Sequence, residues 1–219
     1  MTDDARHRIA ERAAHELHAG EVVNLGIGIP NLIPRYLEAG ANVFVHTENG
    51  LLGVGPPPSE EELDEDLIDA AKRPVTALPG AAYFDSAQSF AMIRGGHIDV
   101  AVLGALQVSE AGDIANWAVP GKDVLGVGGA MDLVVGARRV IVTMTSTSSS
   151  GEPKVVERCS YPLTAPGAVD TIVTELAVFR RVDGSLRLVE LLGGATVEDV
   201  EAVTTARFAV DDALAVGSA

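Results

Sequence analysis

Apolar runs that end in glycine constrain this chain more than any other feature. Residues 21–30 (EVVNLGIGIP) carry an apolar strand into Gly26 and Gly28, then into Pro30 and a helix expected over about 31–38. Residues 42–47 (NVFVHT) read as a strand, β-branched and aromatic at its middle, that delivers Glu48 to the turn-forming pair Asn49-Gly50. Gly53, Gly55 and three prolines follow. Residues 99–103 (DVAVL) form a buried-type strand closed by Gly104, and 139–144 (RVIVTM) form another, preceded by the glycine-rich run GVGGAMD (126–132). Strand, glycine turn and helix in alternation imply an α/β fold on an open, mostly parallel sheet flanked by helices. Such sheets bind ligands beyond the carboxyl ends of their strands, so the order of elements allows Glu48 and both glycine clusters to meet at one edge. Taken alone, Glu48-Asn49-Gly50 is equally compatible with a surface turn bearing an incidental carboxylate, because Asn-Gly turns are common.

The remaining elements follow from spacing. An amphipathic helix is expected over 3–19, with Asp3 and Asp4 at its positive end and Gly20 as its stop. His7, His15 and His18 lie in it; without further ligands nearby they read as solvent-facing, so no metal is expected. Helices are also expected over 61–72, 86–93 and 196–203, the last opened by a capping box of Thr196 and Asp199. Residues 75–78 read as a strand and 169–177 as helix-compatible. Ala111-Gly112 and Asp183-Gly184 mark hairpins, the second between strands 177–182 and 185–191. The TSTSSSG loop (145–151) is expected to be mobile. No repeat or linker divides the chain, so 1–219 is taken as a single domain.

Composition narrows the function classes. Hydrophobic residues are 47% of the 219 but aromatics only 4%, so the core must be built from Ala, Val, Leu and Ile. A net charge of −15 and no Lys/Arg cluster make nucleic-acid binding unfavourable. Residues 59–69 (SEEELDEDLID) hold much of that charge and read as a solvated helix face. Cys159 is the only cysteine, which excludes an internal disulfide and fits a reducing compartment; it reads as a small buried residue rather than a nucleophile. The first twenty residues have no apolar core of a signal peptide, and no stretch is long enough to span a membrane. A cytoplasmic protein is expected. Gly26-x-Gly28 lacks the third glycine of the dinucleotide fingerprint, and the helix after it leaves a phosphate-bearing or acyl ligand plausible at that turn.

The segments VNLGIGIP (23–30), ENGLLGVGP (48–56), SFAMIRGGHIDVAVLGALQV (89–108), ANWAVPGK (115–122) and GVGGAMDLV (126–134) resemble the β subunit of family I 3-oxoacid CoA-transferases. That group includes the succinyl-CoA:3-ketoacid and 3-oxoadipate transferases, and the resemblance runs from about residue 8 to residue 205. It implies a CoA-transferase/ribose-phosphate isomerase-like fold, with Glu48 as a nucleophile that carries CoA as a glutamyl thioester. It further implies that the Gly129 N–H meets the oxyanion, and that Gly26, Gly28, Asn49, Gly50, Gly128 and Ala130 line the CoA path. Lys72 matches a family lysine that would meet a CoA phosphate or a substrate carboxylate; a plain surface lysine is an equal reading. Coenzyme A would be a substrate, with no tightly bound cofactor. The partner would be an α-type subunit, commonly in an α2β2 assembly, acting on succinyl-CoA and a short 3-oxo acid such as acetoacetate or 3-oxoadipate.

Three departures stand out. Thr47 replaces the usual Ser and keeps the hydroxyl. The TSTSSSG loop replaces a charged, lysine-bearing turn, and Pro56-Pro57-Pro58 lacks an aromatic. The alternative from a different class is a non-catalytic ligand-binding module of the same fold, which would not need Glu48. A thioester hydrolase would have to admit water to the anhydride.

Overall fold

The computed structural model of the chain describes residues 3–38, 40–121 and 126–215. Lys122, part of one motif, lies outside the described residues.

The chain opens with α1 (Asp3–Ala14), whose Ile9, Ala10, Ala13 and Ala14 are buried. It stops short of the expected Gly20 because the next residues bond three back instead of four, as in His15 N to Arg12 O. Glu16 is only 3% exposed and is held there by Arg12 and Arg180. β1 (Val22–Leu25) leads through the first glycine turn into a 3-10 helix, Pro30–Tyr36. An α-helix was expected there; Pro34 has no N–H to donate and its ring crowds the preceding turn, which favours the tighter winding.

β2 (Phe44–Thr47), β3 (Leu51–Val54) and β4 (Ala77–Tyr83) form an antiparallel wing. Next come α2 (Ser86–Arg94), β5 (Val100–Gly104), β6 (Gln107–Ser109) and β7 (Ile114–Ala115), then α3 (Ala130–Gly136), β8 (Arg139–Thr143) and β9 (Val155–Val156). β10 (Thr171–Val173), β11 (Ala177–Val182) and β12 (Ser185–Leu191) precede α4 (Val197–Ala202), β13 (Phe208–Val210) and α5 (Asp212–Ala215). Ten strands form one sheet in the order β13-β12-β11-β10-β8-β5-β1-β2-β3-β4, and β7-β6-β9 form a second. The middle of the large sheet, from β10 to β2, is parallel throughout. The α/β class with a mostly parallel sheet is therefore as expected.

Alternation along the central strands fills both faces. Ala101, Leu103, Val140, Val142 and Ile172 point into one apolar cluster, which Ile93 of α2, Leu133 of α3 and Val200 of α4 complete. Val100, Val102, Ile141 and Val173 point into the other, closed by Ile9 of α1 and Ile33 of the 3-10 helix. A parallel sheet covered on both faces is what near-continuous apolar strands require.

Two expected helices are absent. Residues 61–72 run as turns, pinned by an isolated bridge between Ile68 and Pro74. A helix there would stack Glu61 on Glu65 and Glu62 on Asp66, like charges one turn apart. The Asp69 carboxylate instead accepts from the Arg73 backbone and guanidinium at 2.7–3.0 Å. Residues 171–173 are strand: Thr171, Ile172 and Val173 are buried between β8 and β11, where β-branched side chains pack well. The 145–151 loop is folded on itself, with Ser148 Oγ accepting from the amides of Ser150 and Glu152. The capping box is present, with Thr196 and Asp199 bonding reciprocally.

Candidate active site

β1 and β2 run parallel with Asn24 opposite His46, so the residues that follow them emerge side by side. Beyond β1 lies Gly26, and beyond β2 lies Glu48. A Cβ on Gly26 would come within 3.0 Å of Leu103 Cδ2 and 3.2 Å of the Val102 carbonyl, so only glycine lets the turn lie flat on β5. Gly28, at φ 104°, borders open space.

Glu48 is partly exposed, and its Oε2 accepts from Asn24 Nδ2 at 3.3 Å. Asn24 is fully buried. The same amide nitrogen lies 3.0 Å from His46 Nδ1 and 3.4 Å from the His46 carbonyl. His46 Nε2 is 3.1 Å from Ser89 Oγ on α2, and the ring stacks on Phe84 at 5.8 Å. Burial, with no compensating charge, pushes the His46 imidazole down to about 4. Asn24 Oδ1 is buried without a hydrogen-bond partner among the described residues, an unmet acceptor that costs about 1–3 kcal/mol.

The turn after Glu48 is locked. Thr47 Oγ1 donates to Asn49 Oδ1 at 2.7 Å and accepts from the Ala70 amide at 2.9 Å, while Asn49 Nδ2 donates to the Ile68 carbonyl. Gly50 has φ 129°, and a Cβ on it would fall 2.0 Å from the Phe84 carbonyl. The backbone passes this close because Phe84 N bonds Gly50 O at 3.0 Å. These bonds bring segment 68–73 to the end of β2. Within it Lys72 is exposed at φ 61°, a posture that costs a residue with a side chain about 1 kcal/mol or more.

Gly129 arrives from the far side of the sheet order, as the cap residue of α3. A Cβ there would meet Phe90 Cζ at 2.9 Å and Glu48 Cγ at 3.9 Å. Its φ of −83° is open to any residue, so the need for glycine is steric. Gly128 has φ 58° beside open space, and Ala130 starts the helix. The structure thus brings Gly129 against the Glu48 side chain and sets Gly26 at the neighbouring strand end, while Asn49 and Gly50 serve the turn, through Ile68 and Phe84, instead of touching the carboxylate.

Two cavities open at the carboxyl edge. One, of about 420 Å³, reaches Leu25, Val45, His46, Thr47, Pro56 and Arg73. The other, of about 500 Å³, lies beyond β5 and β8 and is lined by Leu106, Thr145, Ser148, Lys154, Tyr161 and Glu175. There burial pushes the Lys154 ammonium down to about 8 against the pull of Glu175. No cluster of metal-binding side chains occurs among the described residues, and no described helix is long and apolar enough to cross a membrane.

Asn24, His46, Ser89 and Phe90 are the site residues that sequence reasoning missed. The available signal was a polar residue inside each of two strands that open apolar, Asn24 in VVNL and His46 in FVHT.

Residues 6–202 match the family model described as Coenzyme A transferase. The chain is 52% identical over 211 residues to one subunit of the probable succinyl-CoA:3-ketoacid coenzyme A transferase of Bacillus subtilis, covering 96% of this chain and 98% of that one. It is also 52% identical over 207 residues to the beta subunit of the acetate CoA-transferase of Escherichia coli K12, covering 94% of each. Among solved structures it resembles an acyl-CoA transferase from Escherichia coli O157:H7, with a TM-score of 0.78 at 22% identity, over 98% of this chain and 43% of that one.

Proposed function

The chain belongs to the coenzyme A transferase family, and from that premise we propose that it is the nucleophile-bearing subunit of a 3-oxoacid CoA-transferase. It moves CoA between succinyl-CoA and a short 3-oxo acid, acetoacetate or 3-oxoadipate. The observation that carries this reading is the approach of the Gly129 backbone to Glu48, where a Cβ would come within 3.9 Å of the Glu48 Cγ, at the end of β2. A binding module of the same fold has no use for that convergence.

The chemistry exchanges one thioester for another and needs no ATP. The Glu48 carboxylate attacks the acyl-CoA carbonyl, and the CoA thiolate leaves to give a mixed anhydride. The thiolate then attacks the Glu48 carbonyl and releases the donor acid, leaving a glutamyl-CoA thioester. The acceptor carboxylate repeats both steps in reverse, which makes the order ping-pong. Each tetrahedral oxyanion needs a donor; the Gly129 N–H, unpaired among the described residues, fills that role. Gly26, Gly28, Asn49, Gly50, Gly128 and Ala130 form the walls past which the thioester passes. Lys72, exposed on the segment bonded to the Glu48 turn, offers its ammonium to a CoA phosphate or a substrate carboxylate.

Two of the relatives are named as single subunits of CoA transferases, which supports a companion chain, and an α-type subunit in an α2β2 assembly is the arrangement we propose. With Cys159 the one cysteine of the sequence, no internal disulfide can form, which fits a reducing cytoplasmic setting. Assaying this chain with and without an α-type subunit, across a panel of 3-oxo acids and CoA donors, tests the proposal. Transfer from succinyl-CoA to a 3-oxo acid by the pair, and little by the chain alone, is expected. Full transfer by the purified chain alone would refute the requirement for a partner, and no transfer to any 3-oxo acid by the pair would refute the substrate class.

A further inference from the structure

We propose that His46 and Ser89 form a positioning relay that fixes the Asn24 amide so that it donates to Glu48. This rests on the reading of Glu48 as the nucleophile.

The hydrogen-bonding arithmetic leaves one arrangement. The nitrogen end of the Asn24 amide faces three acceptors: His46 Nδ1 at 3.0 Å, the His46 carbonyl at 3.4 Å and Glu48 Oε2 at 3.3 Å. Turned over, the amide would set its oxygen against the carbonyl and the carboxylate, a repulsive contact in a buried place. With the nitrogen end fixed there, His46 Nδ1 must be an acceptor. A neutral imidazole then carries its proton on Nε2, which donates to Ser89 Oγ at 3.1 Å. Asn24 Oδ1 is left buried without a described partner, so the amide holds this orientation against its own unmet acceptor. Ser89 is itself fully buried on α2, and Phe84 stacks on the imidazole, so ring and hydroxyl have little freedom to move.

Function follows from the direction of the bonds. Asn24 holds one carboxylate oxygen, Oε2, and leaves Oε1 without a described partner to attack the incoming carbonyl. An imidazole with its proton on Nδ1 would turn the amide over and present Glu48 with an oxygen instead of an N–H. His46 does not touch the reacting atoms; it acts through Asn24.

Two measurements test the relay. In the assembled enzyme with this chain alone ¹⁵N-histidine-labelled, near neutral pH, the His46 signals are assigned by their loss in His46→Gln, and the Nε2-protonated neutral tautomer is expected. In the assembled enzyme, His46→Leu should lower kcat by about ten- to a hundred-fold with KM for acyl-CoA little changed, while the melting temperature falls only by the few degrees that buried groups left without a partner cost. His46→Gln keeps a donor and an acceptor and should recover most of kcat. A His46 protonated on Nδ1 overturns the relay, as does full turnover in a folded His46→Leu enzyme. Should His46→Leu fail to fold, Ser89→Ala replaces it: a shift of the His46 tautomer towards Nδ1–H with a fall in kcat supports the relay, and an unchanged tautomer and kcat refute it. Glu48→Gln, assayed in parallel, separates the two claims. Parental turnover there removes the nucleophile reading, while the tautomer measurement still decides how Asn24 is held.

Discussion

A methyl group placed on Gly129 would lie 3.9 Å from Cγ of Glu48 and 2.9 Å from Cζ of Phe90. The nucleophile therefore shares its space with a backbone that has no side chain, and α2, which carries Phe90, closes that space from behind. Size at position 129 should act on turnover before it acts on folding.

Gly129→Val should lower kcat by about a hundred-fold or more, and Gly129→Ala by less, because misplacing a reacting group by about 1 Å costs on that order. The φ of −83° carries no strain for either residue, so melting should fall far less than activity. Steady-state kinetics alongside thermal denaturation checks this; equal losses in both would make the glycine structural instead.

Gly50 should behave in the opposite way. Its φ of 129° and the Phe84 carbonyl 2.0 Å from a Cβ leave no room for a side chain. Gly50→Ala should destabilise the chain by about 3 kcal/mol or more. For a domain of this size that corresponds to a melting temperature lowered by about 6–12 °C. A melting temperature unchanged by the substitution would contradict the close approach of the two backbones.

Acid should weaken the fold through His46. Its folded value of about 4 lies below the ordinary 6.5. Between those values the unfolded chain binds a proton that the folded chain refuses. The stability due to the neutral buried ring is therefore complete above about 6.5 and falls as pH drops towards 4, by about 3 kcal/mol in total. The groups facing the ring are Asn24, Ser89 and Phe84, with Glu48 reached through Asn24. Denaturant midpoints measured across this window should fall more steeply for the parent than for His46→Gln. Equal slopes would mean that the imidazole does not resist protonation.

Much of this was legible in the sequence because the chemistry is carried by punctuation. Glu48 is a charge at the end of an apolar run, and Gly128-Gly129 opens a helix; both signals are local. The helix Ser86–Arg94, with Asp85 accepting from the Gln88 amide, also follows from local pattern. The failures are tertiary. Residues 171–173 read as helix-compatible until β8 and β11 are known to bracket them. Residues 61–72 have helical spacing, but Asp69 finds its partner in the Arg73 turn and Asn49 reaches the Ile68 carbonyl. The relay was invisible for the same reason: Ser89 on α2 meets His46 only once the helix is laid on the sheet.

The central claim is that Glu48 carries CoA. The chain, assembled with an α-type subunit, is incubated with succinyl-CoA alone and digested, and the peptide containing Glu48 is weighed, with and without borohydride reduction. A CoA adduct on Glu48 is expected, lost on addition of the 3-oxo acid and converted by borohydride to the alcohol. In Glu48→Gln no adduct should form. Turnover without any adduct on Glu48, or an adduct on another residue that forms and clears at the catalytic rate, would contradict the account.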